Sequence, residues 1–253
     1  MDFIGSHYLL RTKNSVIRVF KTPEETLCAL ADYIVGQALL SISRSGRFDL
    51  ALSGGSSPKK LYELLASPQY RSQVQWGKVY LFLGDERYVP ADHVDSNYKM
   101  VKTSLVDPLG IRADHIFPVN TTLSPQESAA DYEQTMRLHF ANEVKFDLVL
   151  LGLGDNSHTA SLFPHTQVLH ERSALVKAEY IEEVKMNRIT FTAPLINAAH
   201  AIAFLVYGAG KAEAVRHIIK DPLNIEEYPA QLIKPLEGEL TWFLDEAAAA
   251  RIK

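Results

Sequence analysis

One histidine stands where an open α/β sheet does its chemistry. The stretch 146–164, FDLVLLGLGDNSHTASLFP, starts as an apolar strand and breaks at Gly152-x-Gly154. It then delivers Asp155, Asn156, Ser157 and His158 at the strand's carboxyl end, the edge where ligands of such sheets bind. A histidine there is a candidate general base. The alternatives are poorer. His158, His165 and His170 have irregular gaps and no H-E-x-x-H occurs, so metal spacing is absent. No G-x-S-x-G elbow offers a serine nucleophile. A histidine activating water fits better than a covalent route.

Three further clusters have the right types for holding an anion. Ser53-Gly54-Gly55-Ser56-Ser57-Pro58 joins a strand to a helix. Its glycines allow a tight turn, and the first N–H groups of the helix are free to meet a phosphate. The competing reading is a plain turn with Ser57 as helix cap; the P-loop spacing is missing. Gly84-Asp85-Glu86-Arg87 puts three charges at another strand end. Arg87 can grip an anion bidentately, with Asp85 and Glu86 orienting it or meeting sugar hydroxyls, or all three can form a structural ion-pair network. Lys211 follows Gly208-Ala209-Gly210 at a helix start, and Arg188 opens a later strand. Neither Gly-x-Gly segment has the third glycine of a dinucleotide fingerprint.

The elements that must position these groups can be read from periodicity. Strands are expected at Val16–Phe20, 48–53, Val79–Leu83, 146–151, 188–192, 201–207 and 240–244. Helices are expected from Thr22-Pro23 to about Ile42, from the 53–58 loop to Leu65, at 97–105, over Pro125–Phe140, after Lys211, and at the AAAA of 247–250. Strand, loop and helix alternate, and the strands are continuously apolar. That predicts a mostly parallel sheet covered on both faces. No linker-like tract divides the 253 residues, so a single domain over 1–253 is expected.

Hydrophobic residues make up 47% and charged residues 22%, with a net charge of −4 and no basic stripe, which argues against nucleic acid as a partner. Cys28 is the only cysteine, so no internal disulfide can form. No leader-like start and no apolar run of membrane-spanning length is evident; a cytoplasmic protein, a monomer or small homo-oligomer, is expected.

Taken together, the segments 50–65, 81–100, 146–164, 188–199 and 207–215 resemble, in order and spacing, the 6-phosphogluconolactonase family, within the group that also holds glucosamine-6-phosphate deaminases. The resemblance implies a Rossmann-like three-layer α/β/α fold, no organic cofactor, and a phosphorylated sugar lactone as the small-molecule partner. The implied reaction is hydrolysis of 6-phospho-D-glucono-1,5-lactone to 6-phosphogluconate. It places the general base on His158 and phosphate contacts on Ser53, Gly54, Gly55, Ser56, Arg87, Arg188 and Lys211. Deaminases of the group carry a glutamate where this chain has Phe163, and a tyrosine where it has Arg87. Both differences favour the lactonase over an amino-sugar isomerase; a non-catalytic sugar-phosphate binder is the other alternative, and the departure at Asn156 is what speaks for it. One departure stands out. The family's usual Asp-Gly-His is Asn156-Ser157-His158 here. Asn156 can orient the histidine but cannot stabilise its charged form; Asp155 or Asp85 is the candidate carboxylate. Ser157 in a glycine's place raises the question of whether positive φ is needed there.

Overall fold

The computed structural model describes residues 2–4, 7–11, 15–141 and 143–252. Twelve strands occur among them: β1 (Asp2–Ile4), β2 (His7–Arg11), β3 (Val16–Phe20), β4 (Phe48–Leu52), β5 (Val79–Leu83), β6 (Asp85–Arg87), β7 (Ile116–Phe117), β8 (Leu148–Leu151), β9 (Val176–Ile181), β10 (Met186–Phe191), β11 (Ala201–Val206) and β12 (Glu239–Asp245). The helices are α1 (Pro23–Ser45), α2 (Ser56–Leu65), α3 (Asn97–Val101), α4 (Asp107–Leu109), α5 (Pro125–Phe140), α6 (Ala193–Asn197) and α7 (Ala212–Ile219), with a π-helical turn joining α3 to α4.

Nine strands form the main sheet in the order β1-β2-β3-β12-β11-β8-β4-β5-β7. From β3 to β7 every pairing is parallel, while β1 and β2 add an antiparallel edge. The central strands are buried on both faces, as in FDLAL of β4 and AIAFLV of β11. One core joins α1, α2 and α3 to side chains such as Leu50, Leu81, Leu148 and Ala203. The other joins α5, α6 and α7 to Ala51, Phe82, Val149 and Phe204 on the opposite face. The expected three-layer α/β/α arrangement is therefore present, and its reason is the two-sided apolar strand.

Local chemistry sets the helix ends. Thr22 Oγ1 accepts from the Glu25 amide at 3.2 Å, and Gly46 closes α1 at φ 81°. Ser124 and Glu127 form a reciprocal capping box on α5.

Several expectations are corrected. The strand read at 188–192 is β10, and it lies outside the main sheet: with β6 and β9 it makes a three-stranded antiparallel sheet. Gly84 is the transfer point, its N–H bonded to Leu52 of the main sheet at 2.8 Å and its carbonyl to the Phe191 amide at 2.8 Å. Residues 246–252, including the four alanines, form turns rather than a helix. Helix α1, with a mean hydropathy of 1.4 over its most apolar window, is long and apolar enough to cross a membrane, contrary to the sequence reading. Here Leu30, Ala31, Ile34 and Ala38 are fully buried in the core beside the sheet.

Candidate active site

The order in which strands are added to the sheet reverses between the parallel neighbours β4 and β8. From β4 the sheet grows through β5 to β7, and from β8 it grows the other way through β11 and β12. The crevice outside the carboxyl ends at such a reversal is where open α/β sheets bind ligands. A cleft of about 410 Å³ opens there. Ser53, Gly54, Gly55, Ser56, Asp85, Arg87, His158, Arg188 and Lys211 all line it, so residues spread over some 160 positions converge as the sequence suggested.

The strand ends are braced from beneath. Tyr62 Oη accepts from the Ser53 amide at 3.0 Å and donates to the Ser53 carbonyl at 2.8 Å. Tyr132 does the same for Leu83 at the end of β5. Burial raises both phenols, so they remain neutral donors. Gly55 takes φ 107° as the cap of α2 with no side-chain bond, which overturns the reading of Ser57 as cap. The opening amides of the helix thus have no side-chain acceptor and face the crevice edge. A Cβ at Gly54 would fall 1.9 Å from Asn97 Oδ1, so a side chain there has to displace Asn97.

Arg87 and Arg188 are directly opposite partners in the small sheet. Arg87 Nη1 donates to the Asp95 carbonyl at 2.9 Å, but the Nε of both arginines is buried without a partner. Two guanidinium groups side by side with open donors fit an anion that neutralises them. Glu86 does not orient them. Its carboxylate accepts from the amides of Arg87, Asn97 and Tyr98, tying down the start of α3, and burial raises its pKa.

His158 sits against Phe163, the rings stacked with centroids 3.9 Å apart. It also lies against Gly154, where a Cβ would meet Nδ1 at 2.1 Å. Burial pushes the imidazole down to about 4; Asp85 opposes that shift, while Lys211 and Arg188 add to it. The ring is therefore neutral at neutral pH. Its Nδ1 meets Asn156 Oδ1 at 2.5 Å, and Asn156 Nδ2 donates to Glu183 Oε2 at 2.8 Å. A carboxylate only accepts, so the amide must turn its oxygen to the ring, and Nδ1 carries the proton. Nε2 then holds the free lone pair, with no hydrogen bond to it among the described residues.

The two candidate replacements for an aspartate at 156 behave differently. Asp155, 81% exposed, pairs with Lys211 at 2.6 Å and adds only a small through-space effect on His158. Asp85 is buried and accepts from Ser161 Oγ at 2.7 Å; it acts on His158 through space, without a hydrogen bond. Ser157 does adopt positive φ, 64°, as do Ala160 and His165 nearby, so the loop holds strained backbone at the site.

Sequence reasoning missed Glu183 and Asn97. Glu183 lies in the short turn between β9 and β10, and nothing in its neighbours Glu182 and Val184 marks it. Asn97, almost fully buried, donates to the Asp85 carbonyl at 2.8 Å.

Comparison with known proteins gives the family. The family described as glucosamine-6-phosphate isomerases/6-phosphogluconolactonase matches residues 21–242. A 6-phosphogluconolactonase of Nostoc sp. is 41% identical over 237 residues, 91% of this chain and 96% of its own. One of Synechocystis sp. is 41% identical over 84% of this chain and 88% of its own. The solved structure of 6-phosphogluconolactonase from Trypanosoma brucei superposes with a TM-score of 0.84 at 30% identity, covering 96% of this chain and 100% of that one. The chain belongs to the glucosamine-6-phosphate isomerase/6-phosphogluconolactonase family.

Proposed function

We propose that this protein hydrolyses 6-phospho-D-glucono-1,5-lactone to 6-phosphogluconate, with His158 as the base. The observation that carries the reading is an imidazole with Nδ1 on the Asn156 amide oxygen and Nε2 open, beside two arginines with open donors, all in one cleft. The relatives named 6-phosphogluconolactonase support the same substrate. The phosphate is held by Arg87, Arg188, Lys211 and the 53–56 loop, and that remote binding sets the lactone carbonyl near His158. Nε2 takes a proton from water as its oxygen bonds to C1. The tetrahedral oxyanion collapses, the bond from C1 to the ring oxygen breaks, and the imidazolium returns the proton to that oxygen. Asp85, at the distance of a through-space partner, favours the transient charge on the ring. No cofactor enters these steps.

Amino-sugar isomerisation is disfavoured by Phe163, which presents an apolar ring to His158 where that chemistry needs an acid. One experiment separates the readings. Purified protein is given freshly made lactone, with 6-phosphogluconate dehydrogenase as reporter, beside an ammonia assay on glucosamine 6-phosphate. Turnover above spontaneous hydrolysis is expected in the first and none in the second; ammonia release without lactone turnover would reverse the assignment. A single domain over 1–253, a monomer or small homo-oligomer and a cytoplasmic location belong to the same proposal, checked by proteolysis, sedimentation and fractionation.

A further inference from the structure

We propose that Glu183 is a positioning residue that fixes the tautomer of His158 through Asn156, and so substitutes by polarity for a carboxylate next to the ring. This rests on the reading of His158 as base.

An asparagine is an ambiguous partner for a histidine. Its two ends are nearly the same shape, and one accepts where the other donates. If the NH₂ end faced Nδ1, the ring would accept there and carry its proton on Nε2. The nitrogen facing substrate would then be unable to take a proton from water. Within the 155–158 turn one bond bears on the choice: the His158 amide lies 3.3 Å from Asn156 Oδ1, a long contact. The stronger constraint comes from another part of the chain. Glu183 Oε2 sits 2.8 Å from Asn156 Nδ2, 27 positions away in sequence. Being acceptor-only, it demands the NH₂ end and leaves the oxygen for Nδ1 at 2.5 Å. Glu183 also lines the cleft at its own turn between β9 and β10, so substrate and relay share one wall.

The test is a polarity series at an exposed position, where the fold is insensitive to the change. Glutamate accepts, Glu183→Gln accepts or donates, and Glu183→Lys only donates. kcat is expected to fall in that order, about twofold for Gln and roughly tenfold or more for Lys, without a rise in KM, as one misdirected hydrogen bond implies. The ¹⁵N spectrum of His158 should show Nδ1–H in the native protein, a mixture in Gln and Nε2–H in Lys. The same series in an Asn156→Asp background should lose that order, with Lys no worse than Glu, since both oxygens of an aspartate accept and the amine then becomes its better partner. A flat series in the native background, or an equal loss in both backgrounds, would overturn the proposal. An unchanged kcat in His158→Ala would instead bring down the assignment of the base, whatever Glu183 does.

Discussion

Both ends of the main sheet hold buried carboxylates, but they differ in what is left open around them. At the amino ends of β4 and β8, Asp49 accepts from His139 Nε2 at 2.7 Å and Arg47 Nε at 2.8 Å. Asp147 accepts from Arg44 at 2.7 Å and from the Asp49 amide at 2.8 Å. These carboxylates are closed into a network. At the carboxyl ends, the Nε of Arg87, the Nε of Arg188 and Oδ1 of Asn97 are buried and unpartnered. A buried polar group without a partner costs about 1–3 kcal/mol, so three of them gathered at one end fit a site that a ligand completes. Charge alone does not mark the working end; incomplete charge does.

That contrast can be broken in order of effect. His158→Ala at the open end is expected to lower kcat by roughly 10²–10⁴-fold with little change in KM or stability, the range of general base catalysis; steady-state kinetics and a melting curve check both halves. Asp49→Ala at the closed end is expected to do the reverse. Removing one partner of a buried pair should cost about 3 kcal/mol, seen in denaturant unfolding, with kinetic constants of the folded fraction unchanged. A kinetic defect in that variant would show that the closed end reaches the site. Arg188→Ala should raise KM roughly tenfold to a hundredfold, the worth of a charged hydrogen bond to phosphate, while the fold gains from losing a partnerless donor. Normal binding of 6-phosphogluconate to it by calorimetry would remove Arg188 from the phosphate site.

Acid sharpens the comparison further. The His158 imidazole titrates at about 4 in the folded protein against 6.5 in an unfolded chain, because burial disfavours its charge. The unfolded state therefore takes the proton first. Stability should decline as pH falls below about 6.5 and level off below about 4, by on the order of 3 kcal/mol. His158→Gln should flatten that slope, and native kcat should hold steady from neutral pH down to about 5. The smallest expected effect is Ser157→Gly, which relieves φ 64° and should stabilise by about 1 kcal/mol in thermal unfolding.

Much of this molecule was legible along the chain because the information is local. Apolar runs such as FDLAL and AIAFLV must be covered on both faces, and that requirement yields a parallel sheet with helices on either side. Glycine breaks after those runs mark the strand ends, so the 53–56 loop, Asp85, Arg87, His158 and Lys211 could be named as a site before any coordinates. The small sheet was not legible. β6 is three residues long and pairs with β10 about a hundred positions later, and nothing in DER states that Arg87 will face Arg188.

The partner of the histidine shows the same division. The sequence by itself established that position 156 is an asparagine and that Asp155 and Asp85 are the carboxylates to consider. Only the tertiary structure decided among them: Asp155 is drawn to Lys211, Asp85 is held by Ser161, and Glu183 alone meets the amide. The physical reason is that periodicity and turn chemistry act over a few residues, whereas the direction of a hydrogen bond depends on which side chain is brought to the other end of it.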